Sequence, residues 1–100
     1  MKKLLQVDFD FAGPFGAEMA AAMSDLAKSI NQEPGLIWKI WTQDEETGKA
    51  GGIYLFENEE TAKSYLEMHS ARLKAMGIQD VRGLVFDINQ DLSAINNAPL

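Results

Sequence analysis

A chain of 100 residues suits one domain, taken here as residues 1–100, and leaves little room for a second. Its apolar fraction of 46% and charged fraction of 24% are those of an ordinary globular protein, not of a disordered one. Fifteen acidic against nine basic residues give a formal charge of −6, which argues against nucleic acid and anionic membrane surfaces as partners, and the lack of cysteine excludes disulfides and thiolate chemistry.

The start, Met1-Lys2-Lys3-Leu4-Leu5, has a basic tip, but Gln6, Asp8 and Asp10 interrupt the apolar run that a secretory leader needs. No window approaches the roughly 20 apolar residues of a membrane span. A cytoplasmic location is expected.

Leu5, Val7, Phe9 and Phe11 alternate with Gln6, Asp8 and Asp10, the period of a half-buried strand. Gly13-Pro14-Phe15-Gly16 ends it as a turn. From Ala17 to about Asn31, Met19, Met23, Leu26, Ala27 and Ile30 fall at helical spacing, and Pro34-Gly35 stops the helix. Leu36 to Thr42 predicts a second strand and Gly51 to Phe56 a third, joined as a hairpin by the polar stretch Asp44 to Lys49.

Asn58 suits a helix N-cap, followed by Glu59 and Glu60 at the positive end of the helix dipole. Ala62, Tyr65, Leu66, His69, Leu73 and Met76 share one face of that helix, and Gly77 stands where a helix-ending glycine belongs. Val81 to Asn89 predicts a fourth strand. The tail from Gln90 to Leu100 reads as a short docking helix or an arm. The order strand–helix–strand, given twice, is that of a split βαβ, ferredoxin-like α+β domain with a four-stranded antiparallel sheet.

Two helices on one side of such a sheet leave its other face uncovered, and that face should be polar in every strand. Only the first strand obeys. The second carries Trp38 and Ile40 against Ile37 and Trp41, the third Ile53 and Leu55 against Tyr54 and Phe56, and the fourth Val81 and Val85 against Leu84, Phe86 and Ile88. At roughly 25 cal/mol per Å², three or four aromatics left in water would forgo on the order of 10 kcal/mol. A second copy packed sheet on sheet is the economical cover. The alternative is an open face that tolerates a few exposed aromatics.

Catalytic motifs are sparse. His69 is the single histidine, which excludes a multi-histidine metal site, and no metal-binding, phosphate-cradling or nucleophile-elbow pattern occurs. His69 lies one turn after Tyr65 and three residues before Arg72, on the buried stripe of the second helix. A half-buried imidazole there can act as a general base or orient a polar substrate group; equally, it can be a core histidine satisfied by one hydrogen bond. Trp38, Trp41, Tyr54 and the Phe9–Phe11 pair can wall a pocket for a flat aromatic ligand, or simply pack. Lys39, Arg82, Asp8 and Asp10 lie inside strands, as ion pairs or as guards against edge pairing.

Four stretches carry a family resemblance: Phe11-x-Gly13-Pro14-Phe15-Gly16; Ser29-Ile30-Asn31-Gln32-Glu33-Pro34-Gly35-x-x-Trp38-Lys39-x-Trp41-Thr42; Gly51-Gly52-Ile53-Tyr54-Leu55-Phe56; and Tyr65-Leu66-Glu67-x-His69-x-Ala71-Arg72-Leu73-Lys74. Together they resemble the YdhR family of monooxygenases, within the dimeric α/β-barrel superfamily. The resemblance spans essentially the whole chain. It implies a homodimer of ferredoxin-like protomers paired sheet to sheet, with a pocket between sheet and helices.

Relatives in that superfamily oxidise aromatic polyketides without flavin, haem or metal; others degrade haem or oxidise quinols. The resemblance therefore implies a monooxygenase of a small phenol- or quinol-type compound and O₂, with no cofactor and no metal. Position alone suggests His69, Tyr54 and Arg72 as the catalytic group, and Trp38, Trp41, Phe9 and Tyr65 as substrate-binding walls. A non-catalytic dimer that binds or senses a small molecule is the alternative, and haem held through His69 is a third reading.

Overall fold

The computed structural model describes all 100 residues. Its elements run β1 (Lys3–Asp10), α1 (Gly16–Ile30), β2 (Leu36–Asp44), β3 (Lys49–Phe56), α2 (Glu59–Ala75), β4 (Arg82–Asp87) and α3 (Gln90–Ile95). The strands form one antiparallel sheet in the order β2-β3-β1-β4, the ferredoxin-like α+β arrangement expected from the sequence. No helix is long and apolar enough to cross a membrane.

Local chemistry sets the element ends. Asn58 caps α2, its side-chain oxygen accepting from the Thr61 N–H at 2.8 Å. Helix α1 has no capping side chain of its own; its first N–H, from Gly16, instead donates to Gln43 Oε1 at the far end of β2, at 2.9 Å. The hairpin strands run longer than their apolar runs suggest, to Asp44 and from Lys49, because the ladder continues into polar residues once the turn is made. β4 is shorter than expected, because Asn89 leaves the sheet to cap α3 by accepting from the Leu92 N–H. The tail is thus both a short helix and an arm: beyond α3 it returns to the sheet, where the Trp38 indole N–H donates to the Pro99 carbonyl at 2.8 Å.

Directly paired residues of an antiparallel ladder share a face. The register therefore puts Leu5, Val7, Phe9, Ala50, Gly52, Tyr54 and Phe56 beneath the helices, together with Lys39, Trp41 and Gln43 of β2. Met19 and Ile30 of α1, and Ala62, Tyr65, His69 and Leu73 of α2, close over them as the core. The other face carries Trp38, Ile40, Ile53, Leu55, Leu84 and Phe86. Leu55 there is fully buried, whereas Ile40, Leu84 and Phe86 are 54%, 53% and 42% exposed. The apolar helix-free face inferred from the sequence is present.

Candidate active site

Helix α2 brings its buried stripe down onto β3. Tyr54 and Phe56, two residues apart on one face of the strand, meet Tyr65 and His69, four apart on one face of the helix. The Tyr65 ring stacks on His69 with centroids 5.0 Å apart and meets the Tyr54 ring at a tilt of 51°, with centroids 4.9 Å apart. Its hydroxyl donates to the Tyr54 hydroxyl at 3.2 Å. One turn on, Arg72 donates to His69 Nδ1 from both Nε, at 3.2 Å, and Nη2, at 2.8 Å.

That contact fixes the imidazole. An Nδ1 that accepts from a guanidinium leaves the neutral ring's proton on Nε2. Burial, reinforced by the positive charges of Lys39 and Arg72, holds the His69 pKa down at about 3. His69 is therefore a neutral donor at Nε2 and a weak base. Nε2 has no protein partner, yet His69 holds no sealed, unsatisfied atom; this nitrogen meets the cavity that the ring lines. Burial beside Tyr65 pushes the Tyr54 phenol far above its ordinary value, so it too stays protonated. Burial likewise raises Tyr65.

The cavity has two parts. The inner part, about 30 Å³, is lined by Phe9, Tyr54, His69, Leu73 and other apolar side chains, and holds one or two waters but no ring. It adjoins a groove of about 620 Å³ between α1 and β2, within the range that small-molecule sites occupy. Met19, Met23, Lys39 and Trp41 border both spaces, so they stand at the junction. Neither space has an acidic residue in its wall. Nowhere do three metal-ligating side chains converge.

Of the residues singled out from the sequence, Phe9, Trp41, Tyr54 and His69 line this cleft, and Arg72 supports it from behind His69. Tyr65 lies beneath as a buried prop. Trp38 is placed elsewhere: three residues from Trp41, it falls on the opposite side of β2 and faces the C-terminal arm. Asp8 pairs with Arg82 across β1 and β4, and Asp10 with Lys49 across β1 and β3, as ion pairs at the sheet surface.

Lys39 has no such partner. It sits on the helix side, with Nζ 3.5 Å from the Trp41 ring centroid and 4.6 Å from that of Tyr54. One signal of this placement is present in the sequence. A lysine two residues before Trp41 shares its face of the strand, and Gly52, the strand partner of Trp41, leaves the space that a long stem needs.

A family model described as "Putative mono-oxygenase ydhR" matches residues 4–99. No curated protein matches. Among solved structures, a structural-genomics protein, YJCS, is 17% identical at a TM-score of 0.63, with 89% of this chain and 100% of that one covered. SnoaB, "a cofactor-independent oxygenase from Streptomyces nogalater", crystallised as a mutant, is 14% identical at 0.62, covering 88% and 93%. A "putative antibiotic biosynthesis monooxygenase" from Deinococcus radiodurans is 16% identical at 0.56, covering 89% and 93%. At these identities the three support the fold alone.

Proposed function

We propose that this chain, which belongs to the ydhR mono-oxygenase family, is a cofactor-independent monooxygenase of a small phenol- or quinol-type aromatic. One observation carries the reading. A half-apolar groove with Trp41 in its wall runs to a narrow, aromatic-lined inner end where a neutral His69 presents Nε2–H and no carboxylate intrudes. A flat ring fits the groove between α1 and Trp41, while the inner end admits only the ring's oxygen substituent or a diatomic molecule.

Such a site suits a substrate that reduces O₂ itself. A deprotonated phenol is electron-rich enough to pass an electron to O₂, and recombination forms a carbon–oxygen bond on the ring. Loss of water then leaves a quinone: one oxygen atom stays on the substrate, the other departs as water, and the substrate supplies every electron. The protein's part is to hold the ring, exclude bulk water and stabilise the phenolate oxygen. His69 Nε2–H is placed for the last task, with Arg72 fixing its tautomer and Tyr54 and Tyr65 its orientation. Trp41 and Phe9 serve as walls.

Replacement of His69 by Ala is expected to lower oxygen consumption with a dihydroxy-aromatic substrate about tenfold or more, a typical consequence of losing one oxyanion donor. Unchanged oxygen uptake would remove His69 from the mechanism. The tight inner cavity favours one competing reading, a protein that binds such compounds without turning them over. Saturable binding across a panel of quinones and polyphenols, with no oxygen uptake by any of them, would establish that reading instead. Haem ligation through His69 fits poorly, because the space beside Nε2 is far smaller than a porphyrin.

The same proposal includes a homodimer, one α/β-barrel domain of residues 1–100 per protomer, paired through the helix-free face. Ile40, Leu84 and Phe86 are the exposed apolar residues that support it. Phe86→Asp should convert the dimer to a monomer in sedimentation velocity while leaving the far-ultraviolet circular dichroism unchanged. A wild-type monomer at high micromolar concentration would overturn the pairing.

A further inference from the structure

Lys39 is the one charged side chain at the junction of groove and inner cavity whose placement the proposed chemistry does not yet use. Its ammonium has no carboxylate within ion-pair distance and no protein hydrogen-bond acceptor, yet it is not sealed from solvent. Around it the elements supply only positive or neutral groups: His69 and Arg72 from α2, Tyr54 from β3 and, further along the groove, Lys28 from α1. Lys39 is half-buried, and the partners of its ammonium are the Trp41 and Tyr54 rings rather than a carboxylate. The place of an anion beside it is left to a group from outside the chain.

The backbone is shaped around this side chain. Gly52 has ordinary extended geometry, so no turn requires a glycine there. A Cβ on Gly52 would stand 2.7 Å from Lys39 Cε and 3.1 Å from a Tyr54 ring carbon. The glycine therefore lets the lysine stem fold across the strand and sets its amine beside Tyr54 and Trp41.

We propose that Lys39 is the proton acceptor of this site: its amine takes the proton of a phenolic ligand in the α1–β2 groove and, as the ammonium, holds the phenolate. The O–H bond of the ligand breaks, an N–H bond forms on Nζ, and no other reactant is needed. The amine is suited to both halves of the exchange, because burial and the nearby Arg72 bring its pKa down to about 7. His69, protonated only near pH 3, is far less able to take that proton. The proposal rests on reading the groove as the seat of an aromatic substrate, and names the residue that activates it.

Para-cyanophenol, whose phenolate absorbs at longer wavelength than the phenol and which need not be oxidised, tests it by ultraviolet difference spectroscopy just above neutrality. The wild type should bind the probe and develop the phenolate band without releasing a proton to a weakly buffered medium, since the proton stays on Lys39. In Lys39→Met the band should disappear, with binding at least tenfold weaker by fluorescence. In Lys39→Arg, which already holds its proton, any remaining band should come with release of a proton. Gly52→Ala, which keeps the lysine but moves it, should reduce the band severalfold. Binding of the neutral phenol by the wild type, no binding at all, or a band that survives in Lys39→Met would each overturn the assignment. Oxygen consumption plays no part in these readouts. A protein that forms the phenolate but oxidises nothing would therefore keep Lys39 in this role and reject the oxygenase.

Discussion

Gly51→Ala should cost the protein about 3 kcal/mol or more, a lowering of the melting temperature by well over 10 °C in a domain of this size. The reason is a backbone approach, not conformational freedom. Gly51 has no positive φ, but a Cβ there would lie 1.9 Å from the Val7 carbonyl oxygen and 2.8 Å from the Asp8 Cα. Neither atom belongs to a flexible side chain. To relieve the overlap, β3 must move away from β1, and these are the two central strands of the sheet. The ladder from Lys3–Phe56 to Asp10–Lys49 runs straight through this point.

Gly77→Ala offers the contrast. That glycine has φ +90° with open space around it, so only left-handed strain opposes the substitution, worth about 1 kcal/mol. Urea denaturation of both variants should therefore rank Gly51→Ala far below Gly77→Ala. Equal losses would show that β1 and β3 are not held this closely.

The second large effect is a rise in stability with pH across the neutral to alkaline range. Lys39 titrates near 7 in the folded protein and at 10.5 in the unfolded chain. Between these values the unfolded chain carries a proton that the folded chain has released. Unfolding thus takes up a proton, and the folded state gains as pH rises. Below 7 the folded lysine is charged and the full penalty applies; above about 10 the gain is complete.

A displacement from 10.5 to about 7 corresponds to roughly 5 kcal/mol if taken whole. Partial exposure and the cation–π contact with Trp41, itself worth ~1 kcal/mol, reduce this to on the order of 2 kcal/mol. Burial of Tyr54 and Tyr65 raises both phenols above 10, and the Asp87 partner raises Lys3 above 10.5, so stability turns down again beyond that range.

On the acid side the direction is the same. His69 titrates at about 3 when folded and 6.5 when unfolded, so stability falls as pH drops through that window. Lys49 holds the Asp10 carboxyl below its ordinary value, Lys63 does so for Glu59 and Lys3 for Asp87, and the stability from these pairs is lost in acid as well. Urea midpoints measured from pH 7 to about 10 should climb in the wild type. In Lys39→Met they should start higher and stay flat. A flat wild-type profile would mean that the Lys39 charge is solvated and the cleft more open than its walls imply. An uncharged, stabilised Lys39→Met also ensures that its loss of phenolate binding is not a folding defect.

Much of the site follows from sequence position. The i, i+4 spacing of Tyr65 and His69, with Arg72 one step further, places three of the seven candidate residues together on α2 whatever the rest of the chain does. Alternation in β3 sends Tyr54 to the same face as Phe56, beneath that helix. What α2 and β3 present to each other is therefore legible from periodicity alone.

Strand β2 is ambiguous in the sequence, because both of its faces are apolar and periodicity assigns neither. Trp38 and Trp41 look like a pair in the sequence, yet an odd separation sends them to opposite sides, one to the C-terminal arm and one to the groove. Lys39, which the sequence offers as an ion-pair partner or an edge guard, has no carboxylate beside it; pairing with β3 sets it opposite Tyr54, beside the space left by Gly52.

Element order, the two-faced sheet and the histidine-bearing stripe of α2 are written in local properties, hydrophobic period and capping. Packing alone sets which face of β2 meets the helices, has Arg72 donate to His69 Nδ1 so that Nε2–H is left at the cavity, and leaves Lys39 without a carboxylate. Those outcomes depend on strand register and on which side chains converge from distant parts of the chain. A one-residue shift in register would reverse every one that involves β2.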